Sequence, residues 1–121
     1  MRYDPSVTAT MRRARSDTAI AGTPVVAGEA VILSISGANR DPARFPDPDR
    51  FDIDRPNNEP LAFGGGIHYC LGAALARAEA RIVFGTLLAR YPKLELAEQT
   101  IQWRETWIFR GPVTLQVALG A

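Results

Sequence analysis

The feature that most constrains the fold is a stretch, residues 37–62, in which prolines recur every few positions. It holds five of the nine prolines and five interleaved aspartates. Proline removes a backbone donor and blocks both helix interiors and central strands, so this stretch is expected to be a long irregular meander. Loops of this length inside a compact domain are usually functional. The alternative is a disordered linker, against which the stretch carries the apolar anchors Phe45, Phe51, Ile53, Leu61 and Phe63.

The overall composition indicates an ordinary globular chain. The 121 residues fit one domain, residues 1–121, with 46% hydrophobic and 22% charged residues. A net charge of +1 gives no reason to expect a nucleic-acid partner. The lone Cys70 excludes an internal disulfide and suits a reducing compartment. No apolar run is long enough to span a membrane, and residues 1–5 do not resemble a signal peptide, so a cytoplasmic location is expected.

The clearest regular element is a helix over residues 71–91, which Pro92 ends. Gly85 weakens its interior by about 1 kcal/mol relative to alanine, which suggests close packing at that point. Four apolar residues form one helical stripe, and four more are expected to continue its burial: Leu71, Leu75, Ala78 and Ile82, then Phe84, Leu87, Leu88 and Tyr91.

Short strands are expected on both sides of the meander. Residues 7–11 contain β-formers, and residues 30–35 form a continuous apolar run, as in a strand covered on both faces. Apolar residues alternate over 101–109 and 113–119, which predicts a C-terminal β-hairpin with one buried face. On this pattern Trp103 and Trp107 belong to the core. The fold class is therefore α+β, with one long helix, short strands and a proline-rich meander.

The stretch most informative about function is residues 63–72, where three glycines precede a histidine, a cysteine and the helix. Glycines allow positive φ and let a backbone approach a flat group closely. Cys70 stands at the helix entrance, where unpaired N–H groups and the helix dipole would stabilise a thiolate, which is a metal ligand or a nucleophile.

Several chemistries are open to such a cysteine. A buried structural thiol is the commonest fate of a free cysteine, but it does not explain the glycines. The loop lacks the motifs of phosphate-binding loops, and a His68–Cys70 nucleophile–base pair has no third member. Zinc needs three or four ligands. A cofactor that brings its other ligands, as haem does, needs only one thiolate.

Phe63-x-x-Gly66-x-His68-x-Cys70-x-Gly72 resembles the haem-ligand signature of the cytochrome P450 superfamily, and residues 73–79 resemble its bacterial soluble members. The likeness extends over the chain: residues 2–5 resemble the end of the family's Glu-x-x-Arg helix, and residues 39–42 and 45–51 the segments before the haem loop. The resemblance implies a cytochrome P450-like C-terminal fragment. In it the chain begins after the glutamate of that helix, and the distal, substrate-covering segments are absent.

The resemblance also implies residue roles. Cys70 would be the proximal thiolate on the iron of haem b (iron protoporphyrin IX), favouring O–O cleavage, and Phe63 would pack near the sulfur. His68 would contact a propionate, as would Arg12. Arg50 would join Arg2 in the family's fold-locking cluster. The implied cofactor-binding residues are Phe63, Gly64, Gly66, His68, Cys70, Gly72, Ala76 and Arg12.

The implied activity is that of a haem-thiolate monooxygenase, an oxidoreductase acting on a small organic substrate. Its electrons would come from a redox partner such as a ferredoxin or flavoprotein reductase. The alternative is a truncated, non-catalytic haem-binding module. In either case the helix and the strand over residues 30–35 should expose apolar faces, and self-association of the chain is expected.

Overall fold

The computed structural model describes residues 1–120, so Ala121, the last residue of the predicted domain, lies outside it. The chain divides into two compact units, and each is described by itself. The first comprises residues 1–62 and 106–110, and the second residues 63–105 and 111–120. That residues 1–121 form a single domain stays a prediction.

The first unit contains two antiparallel two-stranded sheets. In one, β1 (Ala9–Arg13) pairs with β4 (Ala30–Ser34), and Met11 lies opposite Ile32. The other is a hairpin of β2 (Thr18–Ile20) and β3 (Thr23–Val25). Its two-residue turn has positive φ at both positions, which suits the twist of paired strands.

The strand predicted over residues 30–35 is confirmed, but the prediction that both of its faces are covered is wrong. It ends at Ser34, whose hydroxyl accepts a hydrogen bond from the Gly37 N–H and caps the short helix α1 (Ile35–Ala38). Ile32 remains 61% exposed, and among residues 1–120 β4 pairs only with β1.

The meander follows α1 and is irregular, as predicted, up to a 3₁₀ turn at Leu61–Phe63. Of its five expected apolar anchors only Phe45 is buried, while Phe51 is 70% and Ile53 80% exposed. Its order comes instead from polar contacts, because Asn39 is fully buried and its Oδ1 accepts a hydrogen bond from the Leu61 N–H at 2.8 Å.

Arg2 organises the meander from a buried position. Its guanidinium donates to the carbonyls of Asn39 at 2.8 Å, Pro48 at 2.9 Å and Arg50 at 3.5 Å. Burial lowers the pKa of Arg2, and the positive charges of Arg55 and Arg40 lower it further. The predicted cluster of the Arg2 and Arg50 side chains is not observed in the described chain. Of Arg50, Arg2 contacts only the carbonyl, while the Arg50 side chain lies at the surface, 3.8 Å from Asp52.

The second unit is built on the long helix α2 (Ala73–Arg90). It confirms the helix predicted over residues 71–91, but it begins two residues later and ends one residue earlier. The expected burial of the stripe is wrong, since all four of its residues are exposed, with Leu75 at 63% and Ile82 at 68%. The buried residue of α2 is Ala73. The expectation of exposed apolar faces on this helix and on β4 is confirmed.

The predicted C-terminal hairpin forms only in part. Regular pairing joins β5 (Glu95–Leu96) to β6 (Val117–Ala118), and a single bridge joins Trp103 to Pro112. Residues 106–110 pair elsewhere: the Ile108 carbonyl accepts a hydrogen bond from the Thr8 N–H at 2.8 Å within the first unit.

The two tryptophans are not core residues, contrary to the prediction. Trp103 is 45% and Trp107 58% exposed. Alternation alone suggested a half-buried strand, but regular pairing is absent over 101–109 in the described structure, so no continuous sheet face is present to bury them.

Gly85→Ala is expected to stabilise the second unit by about 0.5–1 kcal/mol, because alanine favours a helix interior more than glycine does. The close packing expected at Gly85 is not observed, since an added Cβ would meet nothing within 4 Å. Urea unfolding followed by circular dichroism of the helix measures the change. Gly64→Ala is the control with the opposite sign, and equal destabilisation by both changes would contradict the open environment of Gly85.

Candidate functional site

The glycine–cysteine stretch forms a loop closed by its own backbone. The Cys70 N–H donates to the Phe63 carbonyl at 2.9 Å and joins the two ends. Inside the loop a 3₁₀ turn spans Gly66–His68, with the Tyr69 N–H bonded to the Gly66 carbonyl at 3.1 Å. These bonds determine where the cysteine emerges.

Two glycines are required by this geometry. Gly64 has φ +72° and Gly66 has φ +57°, the left-handed region that side chains disfavour. A Cβ on Gly64 would also lie 3.0 Å from the His68 carbonyl oxygen. The expectation of positive φ is confirmed at these two glycines, whereas Gly65 is extended, with φ −160°.

Cys70 is exposed, so the interpretation as a buried structural thiol does not fit the described chain. It lies three residues before the first residue of α2, and its carbonyl accepts a hydrogen bond from the Ala73 N–H at 3.2 Å. Two apolar side chains close to Cys70 in the sequence are also fully exposed, Ile67 at 97% and Leu71 at 101%. The loop thus presents a sulfur together with apolar side chains.

Arg77 on α2 contacts the loop through two aromatic side chains, a role that the sequence pattern did not reveal. Its Nη1 donates to the Tyr69 hydroxyl at 2.8 Å, and its Cζ lies 4.7 Å from the centre of the Phe63 ring. The two rings themselves meet edge to face, with centroids 6.4 Å apart. The sequence carries no signal for this role, because Phe63 and Tyr69 lie on the loop before α2 and helical spacing does not relate them to Arg77.

The remaining predicted site residues are distributed between the two units. Gly72 precedes α2, and its carbonyl accepts a hydrogen bond from the Ala76 N–H at 2.9 Å. His68 is exposed on the loop. Arg12 lies on β1 in the other unit, where its guanidinium donates to the Met11 carbonyl at 2.9 Å and the Thr10 hydroxyl at 3.2 Å.

Known proteins place this arrangement in a family. A family model described as "Cytochrome P450" matches residues 1–118. The mycinamicin IV hydroxylase/epoxidase of Micromonospora griseorubida is 46% identical over 112 residues, which are 91% of this chain and 28% of that protein. The biotin biosynthesis cytochrome P450 of Bacillus subtilis is 44% identical over 120 residues, 96% of this chain and 30% of that protein.

A solved structure gives the same result for the fold. The crystal structure of CYP109E1 from Bacillus megaterium in complex with testosterone matches with a TM-score of 0.94 and 38% identity. The match covers 99% of this chain and 34% of that one. The chain spans less than a third of the length of the two curated relatives.

The chain belongs to the cytochrome P450 family. Its relatives are monooxygenases, and the cofactor of the family is haem b. Within residues 1–120, no helix is both long enough and apolar enough to cross a membrane.

Proposed function

We propose that Cys70 is the axial thiolate ligand of haem b, and that this chain forms the thiolate side of the haem pocket of a monooxygenase. The observation that carries the proposal is an exposed thiol at the end of a loop closed by the bond from the Cys70 N–H to the Phe63 carbonyl. One thiolate is sufficient because the porphyrin supplies four nitrogen ligands to the iron.

The residues present fit a flat, largely apolar ring with two carboxylates. Gly64 and Gly66 keep side chains off the loop backbone, and the exposed Ile67 and Leu71 offer apolar surface that water would otherwise cover. His68, exposed on the loop, is the proposed propionate contact of this unit. The propionate role of Arg12, in the other unit, stays a prediction from the family resemblance, which its planar guanidinium suits. Phe63, Gly72 and Ala76 complete the proposed cofactor-binding residues.

The chain's own contribution to the chemistry is to hold the sulfur and tune its electron donation. The N–H groups that follow Cys70 would hydrogen-bond the thiolate, and Phe63 would shield it from water. Bound haem supplies O2 activation: with two electrons and two protons, one oxygen atom enters an organic substrate and the other leaves as water. The electrons would come from a ferredoxin or a flavoprotein reductase, and the substrate would be a small organic molecule.

The proposed ligation is tested by titrating the purified chain with hemin, reducing it and adding CO. The expected result is a Soret band at the red-shifted position of thiolate-ligated haem, with saturation at one haem per chain. A band at the position of nitrogen-ligated haem, or no binding, would overturn the proposal.

Turnover is measured separately, with a chemical reductant and a generic organic substrate. An oxygenated product would support the monooxygenase. Thiolate ligation without product would support the alternative, a non-catalytic haem-binding module. Self-association through the exposed faces of α2 and β4 stays a prediction, which light scattering of the same sample checks.

A further inference from the structure

We propose that Arg77 is a positioning residue for the cysteine loop, acting as a clamp between the Phe63 ring and the Tyr69 hydroxyl. The clamp itself concerns only this chain, and its effect on an iron ligand rests on the function proposed above for Cys70. Arg77 does not touch the sulfur in any described contact, so it acts through its two aromatic partners.

The two partners of Arg77 lie at opposite ends of the loop. Phe63 opens it, and Tyr69 immediately precedes Cys70. Arg77 contacts the ring of the first at 4.7 Å from Cζ to centroid, and the hydroxyl of the second at 2.8 Å. The backbone joins the same two ends through the 2.9 Å bond from the Cys70 N–H to the Phe63 carbonyl. The loop is therefore closed once by backbone and once by side chains.

Arginine is the side chain suited to this double contact. Its planar guanidinium can stack a face on an aromatic ring while an N–H at its edge donates to a hydroxyl. A lysine ammonium is a compact charge without such a plane, so it can keep one contact but not both. Because Arg77 lies within the 18-residue helix α2, the clamp ties the cysteine loop to that helix.

The clamp is tested on the haem-free chain by amide hydrogen exchange. In Arg77→Met, the amides of His68, Tyr69 and Cys70 are expected to exchange about fivefold faster, the loss that a cation–π contact and one hydrogen bond would produce. The amide of Ala76, bonded to the Gly72 carbonyl, reports on the helix and should not change. Arg77→Lys should give an intermediate effect.

Arg81→Met is the matched control, because Arg81 has the same charge, lies one turn further along α2 and is exposed. It should leave the three loop amides unchanged. Equal acceleration in both variants, or equal acceleration of the loop and the helix in Arg77→Met, would overturn the clamp. Tyr69→Phe removes the hydrogen bond but leaves the contact of Arg77 with Phe63, so the effects of Tyr69→Phe and Arg77→Met together should be less than additive. Full additivity of the two changes would contradict a shared contact.

The haem-loaded chain separates this inference from the proposed function. If Cys70 ligates iron, Arg77→Met should shift the reduction potential and lose the thiolate-type band faster than Arg81→Met does. A wild-type chain without thiolate ligation would remove the proposed function while leaving the exchange result decisive for the clamp. Unchanged exchange and an unchanged potential in Arg77→Met, with ligation intact, would overturn the clamp alone.

Discussion

Cys70→Ser is expected to abolish the thiolate-type Soret band of the reduced, CO-treated chain completely. Cys70 is the only cysteine of the sequence, so no other thiolate can replace it. A serine hydroxyl has nearly the same size but stays protonated at neutral pH and is a poor ligand for haem iron. The measurement is the CO difference spectrum at matched hemin and protein concentrations. Persistence of the band in Cys70→Ser would show that its source is not this residue.

A second variant keeps that experiment decisive if the serine chain fails to retain haem. Cys70→His offers a nitrogen ligand at the same point of the loop, and its band should move to the position of nitrogen-ligated haem. Because the wild-type and histidine chains differ in sequence only at position 70, replacement of the thiolate-type band by the nitrogen-type band would assign the thiolate to Cys70. A histidine chain with the wild-type band would contradict the assignment.

Arg2→Met is expected to lower the free energy of unfolding of the first unit by about 3 kcal/mol, because buried carbonyls lose their donors. Arg2 is 4% exposed, and its Nη1 serves the carbonyls of both Asn39 and Pro48. Methionine restores the length of the side chain but none of its N–H groups. Urea unfolding is best followed by NMR at the amides of β1 and β4, which report on this unit.

Arg15→Met provides the control for charge and chain length, because Arg15 is exposed in the same unit. It should change the free energy of unfolding by less than about 0.5 kcal/mol. Arg2→Lys keeps the charge but not the fork of donors, so it should recover only part of the lost stability. Equal effects of Arg2→Met and Arg15→Met would contradict the bonding role of Arg2 in the meander.

Features that depend on neighbours in the sequence were predicted well. Apolar spacing located α2 to within two residues at its start and one at its end, and proline density identified the meander. The run of three glycines predicted positive φ within the loop, which the structure shows at Gly64 and Gly66, because the absence of a side chain leaves that conformation open. The cysteine loop and its resemblance to a family signature are local in the same sense.

The errors occurred where a residue's environment depends on distant chain. Alternation over residues 101–109 predicted a buried strand, yet Ile108 accepts its hydrogen bond from Thr8, about a hundred positions away. That strand was also expected to bury Trp103 and Trp107. Because it does not form, both side chains are exposed. Close packing at Gly85 was inferred from helix propensity alone, which carries no information about what faces the helix.

The amino-acid sequence by itself determined the helix, the meander, the glycine turns and the position of the one cysteine, because each depends on short-range backbone preferences. Only the tertiary structure decided that Arg77 bridges Phe63 and Tyr69, that Arg2 is buried among the meander carbonyls, and that Cys70 is exposed. These contacts join residues that the backbone brings together only after folding, and their energies depend on burial and geometry that spacing does not encode.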